Sequence, residues 1–241
     1  MLYLEYRMPK KRNDMFDLRT ARKRKGLTQE KAALSLGVTQ AYLSMLENNR
    51  RPVPANQLSR VVEVYGLSYA ALPLRGQESW HQLQNRTIAS QLAALGYPGF
   101  SYMNTNRPQW NPAELLVAAL TKNELESRVI EGLTWLVYAF TNMNWDWVTR
   151  EAKANDVTNR LGFVVTLARN LAERKANCSV AETMRTVEKR LRPSTLVREE
   201  TLCHDQMTQA ERKWLEERRS LEARQWHVLS DLTPEHLQHV T

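Results

Sequence analysis

The stretch QEKAALSLGVTQAYLSMLEN, Gln29–Asn48, decides the architecture of the first third of the chain. Its apolar residues recur at helical spacing on both sides of a single glycine, Gly37, and this pattern predicts two short helices joined by a tight turn. Thr28 and Thr39 stand where the N-cap of each helix is expected, because a threonine oxygen accepts hydrogen bonds from the free amides of a first turn. The stretch is therefore predicted to form a helix-turn-helix.

Six residues fit the structural positions of this motif. Two helices that cross at a steep angle leave room only for a small side chain where they touch, and Ala33 occupies that point. The turn requires a positive φ, which glycine adopts at little cost, and Gly37 supplies it. The other four are predicted to form the buried face that both helices share: Leu36, Val38, Leu43 and Leu46. The alternative, an ordinary helical hairpin with no role in DNA binding, would rarely meet all of these positions.

Helices are also predicted on either side of the motif. Phe16, Leu18 and Ala21 begin a helix that ends at Gly26, and the apolar positions from Leu58 to Tyr65 mark another that closes at Gly66. We expect residues 15–76 to form a compact all-helical domain, preceded by a basic arm at residues 1–14 that lacks periodicity. The proline and glycine in LPLRGQ, residues 72–77, indicate the boundary of this domain.

The chain resembles the lambda-repressor-like, or xenobiotic-response-element-type, helix-turn-helix family over about Met15–Leu72. The resemblance rests on LRTARKRKGLTQEKAA, on the turn at Gly37, and on YLSMLENNRRPVP after it. It implies a five-helix domain that places its third helix in the major groove, usually as a two-fold dimer on a palindromic site. Residues 77–241 lie outside the resemblance.

Residues at the start of the third helix would then point toward base edges. Gln40 is the strongest candidate, because its amide both donates to and accepts from adenine. Ala41 and Met45 allow only apolar contacts, such as one to a thymine methyl group, so shape is expected to assist base discrimination. The candidate base readers are Thr39, Gln40, Ala41, Ser44 and Met45.

A second set of residues is predicted to contact phosphates. Gln29 stands at the start of the second helix, where a side chain and the free amides of the helix N-terminus hold a phosphate. Each basic residue alone is as easily explained by a solvated surface position as by a contact with a phosphate. The cluster of basic residues is better evidence for phosphate binding than any one of its members. The basic candidates are Arg19, Arg22, Lys23, Arg24, Lys25, Arg50 and Arg51.

The net charge of +8 is confined to the first third of the chain. Residues 1–76 carry 14 Lys and Arg against 6 Asp and Glu, whereas residues 77–241 carry 20 of each and all seven Trp. This asymmetry indicates a basic module suited to a polyanion and a neutral module suited to packing or protein contact. A basic tail on a single domain is the alternative that composition leaves open.

Residues 77–241 are predicted to be all-helical, as a bundle or a short stack of helical hairpins. Apolar residues recur at helical spacing, and no segment alternates with the period of a strand. The segment 96–112 is expected to be irregular, because it is rich in Pro, Asn and Gly. In the charge-rich helix at Ala210–Arg224, Trp214 and Leu215 are expected to face inward. The other helices are predicted near Glu78–Leu95, Leu125–Phe140, Val157–Leu171 and Val180–Leu191.

An aromatic cluster within this second domain allows two interpretations. Trp135, Trp145 and Trp147 lie close together in the sequence, and aromatic residues at helical spacing usually pack in a core. The alternative is a partner surface, where Trp is favoured as a binding anchor. The domain as a whole is expected to serve dimerisation, partner binding or sensing.

Signatures of catalysis, metal binding and membrane insertion are not found. The sequence has no phosphate-binding glycine loop, no HExxH and no paired CxxC, so no catalytic residue, metal ligand or cofactor is predicted. The spacing of Arg198 and His204 matches certain all-helical ribonucleases, but such matches arise by chance. Cys178 and Cys203 are expected to be free thiols in a reducing compartment, and no long apolar run predicts a membrane span.

The sequence therefore predicts a transcription regulator that is not an enzyme. We expect a repressor in the cytoplasm of a bacterium or phage, nucleoid-associated when bound, that binds a palindromic operator as a homodimer. A helical second domain also resembles those of antitoxins that repress their own operon and neutralise a cognate toxin protein. The alternatives are a ligand-sensing repressor, which would contain an enclosed apolar pocket, and a nuclease whose basic, acidic and histidine side chains converge in one cleft.

Overall fold

The computed structural model describes residues 17–74, 83–103 and 107–237. These residues divide into two compact units. The first comprises the described residues up to Leu67 together with Ala71–Pro73, and the second comprises Ser68–Ala70 and the residues from Leu74 onward. The predicted arm at 1–14, the predicted helix start at Phe16 and the last part of the predicted boundary segment lie outside the described residues.

Four α-helices form the described part of the first unit. They are α1 (Leu18–Arg24), α2 (Gln29–Leu36), α3 (Gln40–Glu47) and α4 (Ala55–Tyr65). Each of α1, α2 and α4 is followed by a glycine with positive φ, where other residues would be strained: Gly26, Gly37 and Gly66. The resemblance implied a fifth helix, and at that place the chain forms a single 3-10 turn, Tyr69–Ala71.

The first unit has its own apolar core. Leu18 of α1, Ala33 and Leu36 of α2, Leu43 of α3 and Val61 of α4 are all buried in one cluster. Each helix therefore contributes one apolar stripe to a shared centre, as the period of 3.6 residues in their sequences requires. This packing orients α2 and α3 and leaves their opposite faces to solvent.

The second unit consists mainly of α-helices. The bounds are α5 (Asn85–Ala94), α6 (Pro112–Leu120), α7 (Ser127–Ala139), α8 (Trp145–Ala154), α9 (Thr158–Arg174), α10 (Cys178–Leu191), α11 (Gln209–Arg218) and α12 (Leu221–Gln225). Single 3-10 turns lie at Pro98–Phe100, Arg192–Ser194 and Pro234–His236. Two short strands, β1 (Glu200–Thr201) and β2 (Val228–Leu229), pair in parallel.

The core of the second unit surrounds α6 and α9. Every residue of α6 is buried, Glu114 included, and the rest of the helix is apolar. The long helix α9 packs against α7 and, most extensively, α10. The turn between α9 and α10 passes through Ala176, which has a φ of 54°. The all-α fold predicted from the sequence is thus found, with α9 and α10 as its main helical hairpin.

Four details of the second unit differ from the prediction. The helix predicted near Glu78–Leu95 is observed only over Asn85–Ala94, and residues 78–82 of that prediction lie outside the described residues. The β1–β2 pair was not predicted, because two-residue strands are too short for alternation to be visible in a sequence. The single helix predicted at Ala210–Arg224 is two helices, since Ser220 caps α12 through its side-chain oxygen. Trp214 was predicted to face inward and is 44% exposed, whereas Leu215 beside it is buried. The Arg218 guanidinium lies over the Trp214 ring, 5.2 Å from its centroid.

Candidate DNA interface

The turn between α2 and α3 is built from the residues that the sequence singled out. Ala33 is 3% exposed at the helix crossing, and Gly37 has a φ of 71°. The Val38 amide donates to the Ala33 carbonyl oxygen at 3.0 Å. This bond satisfies a carbonyl that the end of α2 would otherwise leave free, so the turn leads directly into α3. Leu36, Leu43 and Leu46 are buried, and Val38 is half-buried against the same core.

The N-terminal end of α3 lies on the surface of the first unit. The Thr39 hydroxyl accepts a hydrogen bond from the Tyr42 amide at 3.2 Å and so caps the helix. The side chains of Thr39, Gln40 and Ala41 are exposed, and those of Ser44 and Met45 are half-buried. All five candidate base readers therefore retain solvent access, Thr39 at the N-cap and the other four on α3.

A chain of hydrogen bonds links Gln40 to a buried ion pair. The Gln40 side-chain amide donates to Gln29 Oε1 at 3.4 Å, and the Gln29 amide donates to Glu47 Oε2 at 3.2 Å. Arg22 then donates to Glu47 twice, from Nε at 2.6 Å and from Nη2 at 3.1 Å. Because the two glutamines come from α2 and α3, this chain fixes the first residues of both helices relative to each other.

The centre of this chain is shielded from water. The Glu47 side chain is 2% exposed and that of Arg22 is 10% exposed. The hydrogen bond to Glu47 raises the pKa of Arg22, and burial, together with the charge of Glu47, raises the pKa of Tyr65 to about 12. Arg22 also donates to the Leu27 carbonyl oxygen at 2.8 Å. A paired and hydrogen-bonded charge of this kind holds its neighbours in one geometry.

Arg22 was predicted as a phosphate contact, and the structure corrects this assignment. Its guanidinium is committed to Glu47 and to the backbone, so it cannot face a DNA strand without breaking a buried ion pair. Glu47 was missed in the sequence analysis. The signal was present, because Glu47 follows Leu43 by four residues and therefore shares its buried face.

The remaining phosphate candidates stay accessible. Gln29 is half-buried at the start of α2, where Thr28 caps the helix through its hydroxyl, and the Gln29 side-chain amide already bonds to Glu47 and Gln40, so the second amide hydrogen is what it can offer to a phosphate. Basic side chains in the last turn of α1 also stabilise that helix through its dipole, so their surface position has a structural reason as well. The exposed basic residues are Arg19, Lys23, Arg24, Lys25, Arg50 and Arg51.

The aromatic cluster of the second unit packs inward. Trp145 is 8% exposed, and its indole N–H donates to the Thr141 carbonyl oxygen at 2.8 Å. Trp135 packs edge-on against Phe140, with ring centroids 6.0 Å apart. Trp135 and Trp147 are half-buried against the core. Trp145 therefore cannot contribute to the predicted partner surface, because its ring is buried and its indole N–H is already hydrogen-bonded within the unit.

Arg198 and His204, whose spacing in the sequence matches certain ribonucleases, do not line one cleft. Arg198 and His204 line two different cavities of the second unit, and His204 Nδ1 lies 3.1 Å from Glu124 Oε2. Cys178 is exposed and Cys203 is buried, both as free thiols. Among the residues that the structure describes, no cluster of three His, Cys, Asp or Glu side chains is arranged to hold a metal ion. Within the same residues, every helix is too short or too polar to span a bilayer.

Comparison with known proteins bears on the first unit. A family model described as helix-turn-helix matches residues 18–72. No curated protein and no solved structure matches the chain. The matched residues contain α1–α4, the Gly37 turn and the exposed end of α3. Residues 18–72 are therefore a lambda-repressor-like helix-turn-helix domain, and the protein that carries it is a DNA-binding transcription regulator.

Proposed function

We propose that this protein is a sequence-specific repressor that binds a palindromic DNA operator as a homodimer. The observation that carries the proposal is the exposed N-terminal end of α3, where Gln40 is held by Gln29 through a hydrogen bond of 3.4 Å. A side chain held in place loses little conformational freedom on binding, and it therefore discriminates between bases more sharply than a mobile one. The proposed activity is binding rather than catalysis, and it requires no cofactor.

Each exposed residue of α3 has a specific proposed role. Gln40 hydrogen-bonds to N6 and N7 of adenine, as a glutamine in the major groove does. Ala41 and Met45 contact thymine methyl groups, and Thr39 and Ser44 offer hydroxyls to base edges or to the adjacent phosphate. Because only one long amide reads bases, we expect a short core recognition sequence, with additional preference from DNA shape.

Phosphate contacts position this helix on the duplex. Gln29 and the first amides of α2 lie beside Gln40, which suits one phosphate next to the base that Gln40 reads. The exposed basic residues at the end of α1 and at Arg50 and Arg51 add contacts to the backbone on either side. These contacts supply affinity for any duplex, whereas Gln40 supplies preference for one.

Selection of operators from a random duplex pool tests the sequence preference and the dimer together. We expect two inverted half-sites whose centres are separated by about 34–36 Å, one turn of the DNA helix. Light scattering of the complex should give two chains for each duplex. Enrichment of a single half-site, or a complex with one chain, would contradict the homodimer. A reporter gene downstream of the selected operator should be transcribed less when the protein is present, and increased transcription would contradict repression.

The helical second unit also supports a more specific form of this function, an autoregulating antitoxin that neutralises a cognate toxin protein in a bacterial or phage cytoplasm. The half-buried Trp135 and Trp147 would belong to its partner surface. Co-expression of the chain with the products of its neighbouring genes, followed by a pull-down, tests this form. A stoichiometric partner whose toxicity is suppressed supports it, and the absence of a retained partner at micromolar concentration refutes it.

A further inference from the structure

The hydrogen-bond chain beneath α3 has a direction. An amide side chain carries a donor at one end and an acceptor at the other, so a chain of amides can run in either of two senses. Gln40 donates to Gln29 Oε1 at 3.4 Å, and Gln29 donates to Glu47 Oε2 at 3.2 Å. Both bonds therefore run in the same sense, with the donors directed toward Glu47.

The carboxylate of Glu47 fixes this direction, because it accepts hydrogen bonds and has none to give. Arg22 donates to both of its oxygens, from Nε to Oε1 at 2.6 Å and from Nη2 to Oε2 at 3.1 Å. The Glu47 side chain is 2% exposed, so solvent has almost no access to it. An amide beside Oε2 must present its nitrogen, since an amide oxygen there would face a buried negative charge.

The direction passes from Gln29 to Gln40. With its nitrogen on Glu47, Gln29 presents its carbonyl oxygen to Gln40, and Gln40 can meet that oxygen only with its own nitrogen. This contact uses one hydrogen of the Gln40 amide. The second hydrogen and the carbonyl oxygen remain for a ligand, on a side chain that is exposed.

The order in which these two groups face the groove decides which base edge they fit. Adenine presents an acceptor, N7, beside a donor, N6, whereas guanine presents two acceptors and cytosine a donor. An amide in the matching order pairs with adenine through both atoms. The same amide turned end for end sets donor against donor and acceptor against acceptor. An order that is fixed before binding therefore selects one base pattern, and it leaves less conformational freedom to lose.

We infer that Glu47 is a positioning residue for base recognition, which acts through Gln29 to fix the direction in which the Gln40 amide faces the major groove. The inference rests on the proposed base-reading role of α3. It gives the buried carboxylate a part in specificity in addition to its part in stability. A glutamine at position 47 could offer an amide nitrogen to Gln29, so it would allow the chain to run in the opposite sense.

Fluorescence anisotropy with the selected operator, and with three duplexes that replace one adenine by each other base, tests this inference. That adenine is identified as the position at which Gln40→Ala loses its base preference. We expect the unmodified chain to prefer adenine there by at least about tenfold, and Glu47→Gln to lose most of this preference. A preference in Glu47→Gln that stays within about twofold of the original would overturn the inference. If the unmodified chain itself shows no preference, the proposed base-reading role is refuted, and the inference with it.

The preference ratio separates positioning from stability. A variant that is only less stable has a smaller folded fraction, which weakens binding to every duplex by the same factor and leaves the ratio unchanged. Glu63→Gln removes the same charge from an exposed position on α4 and should keep the full preference. If Glu47→Gln does not fold, Arg22→Met/Glu47→Leu removes the carboxylate together with its buried partner, and it should also lose the preference. Full preference in that double variant would equally overturn the inference.

Discussion

The Arg22–Glu47 ion pair supports the recognition surface from beneath, because Glu47 holds Gln29 and Gln29 holds Gln40. Replacing Arg22 with Met would leave the Glu47 carboxylate buried and unpaired. We expect Arg22→Met to destabilise the first unit by about 3–5 kcal/mol. Hydrogen exchange of peptides from α1–α3 measures this loss without interference from the second unit.

Two further variants separate the ion pair from other effects of Arg22→Met. Arg19→Met makes the same substitution at an exposed position of the same helix and should change stability by less than about 0.5 kcal/mol. The double variant Arg22→Met/Glu47→Leu should recover much of the loss, since neither charge then remains buried. Equal rates of hydrogen exchange in Arg22→Met and Arg19→Met would show that the ion pair contributes nothing to the stability of the first unit.

At the level of residues, the sequence predicted the features that follow local rules. Gly37, Thr28, Thr39 and Ala33 could be assigned because caps and turns depend on a few consecutive residues. The pairing of Arg22 with Glu47 could not, because 25 residues separate the partners and their meeting depends on how α1 packs against α3. The basic character of Arg22 therefore led to a surface assignment that its burial contradicts.

The α2–α3 turn depends on the left-handed conformation of Gly37. The nearest atoms that a Cβ added there would meet belong to the Arg60 side chain, at 3.5 Å, which is an ordinary contact. The cost of Gly37→Ala is therefore conformational, about 1–2 kcal/mol. Gly37→Asn should cost less, because Asn tolerates this conformation. Hydrogen exchange at α2 and α3 measures both variants, and an equal cost for Ala and Asn would contradict the explanation.

Helix α9 passes Trp226 so closely that only glycine fits at position 162. A Cβ on Gly162 would collide with the six-membered ring of Trp226, which is fully buried and donates its indole N–H to Thr166 at 2.8 Å. We expect Gly162→Ala to destabilise the second unit by about 1–3 kcal/mol through overpacking. Urea unfolding monitored by tryptophan fluorescence measures this loss.

A second substitution tests whether Trp226 is the cause. In the double variant Gly162→Ala/Trp226→Leu, the alanine should cost less than it does beside the intact ring, because the contacting atoms are absent. If the alanine costs the same in both backgrounds, its effect comes from somewhere other than Trp226.

The elements found from the sequence were those with clear amphipathic periodicity. Helices α7 and α10 bury one apolar face, whereas α9 is buried on all sides over residues 158–168 but keeps apolar residues at helical spacing. All three were predicted near their observed bounds. Helix α6 is buried on all sides, so it has no alternation of faces by which periodicity could define it. The β1–β2 pair depends on a contact between Glu200 and Val228, and no local pattern records such a contact.

For the whole molecule, the uneven charge predicts how DNA binding responds to salt. Each phosphate neutralised by the protein contributes about 0.9 to the slope of log K against log salt concentration. We expect Arg50→Ala/Arg51→Ala to lower the magnitude of this slope by about 2 for operator and random duplex alike. Fluorescence anisotropy at several KCl concentrations measures it.

The charge of the second unit provides the control for that experiment. Lys189→Ala/Arg190→Ala removes the same charge from exposed positions on α10, and the slope should not change. A slope that falls equally in both double variants would mean that the basic surface of the first unit has no special role in DNA binding.

The most direct test of the central claim compares Gln40→Ala with Gln209→Ala, the same substitution at an exposed position of α11. Affinity for the selected operator and for random duplex is measured at one fixed salt concentration. The account predicts that Gln40→Ala weakens operator binding by about 1–3 kcal/mol, with random-duplex binding nearly unchanged, and that Gln209→Ala changes neither. Equal losses on the operator and on random duplex would contradict the claim that the N-terminal end of α3 reads bases.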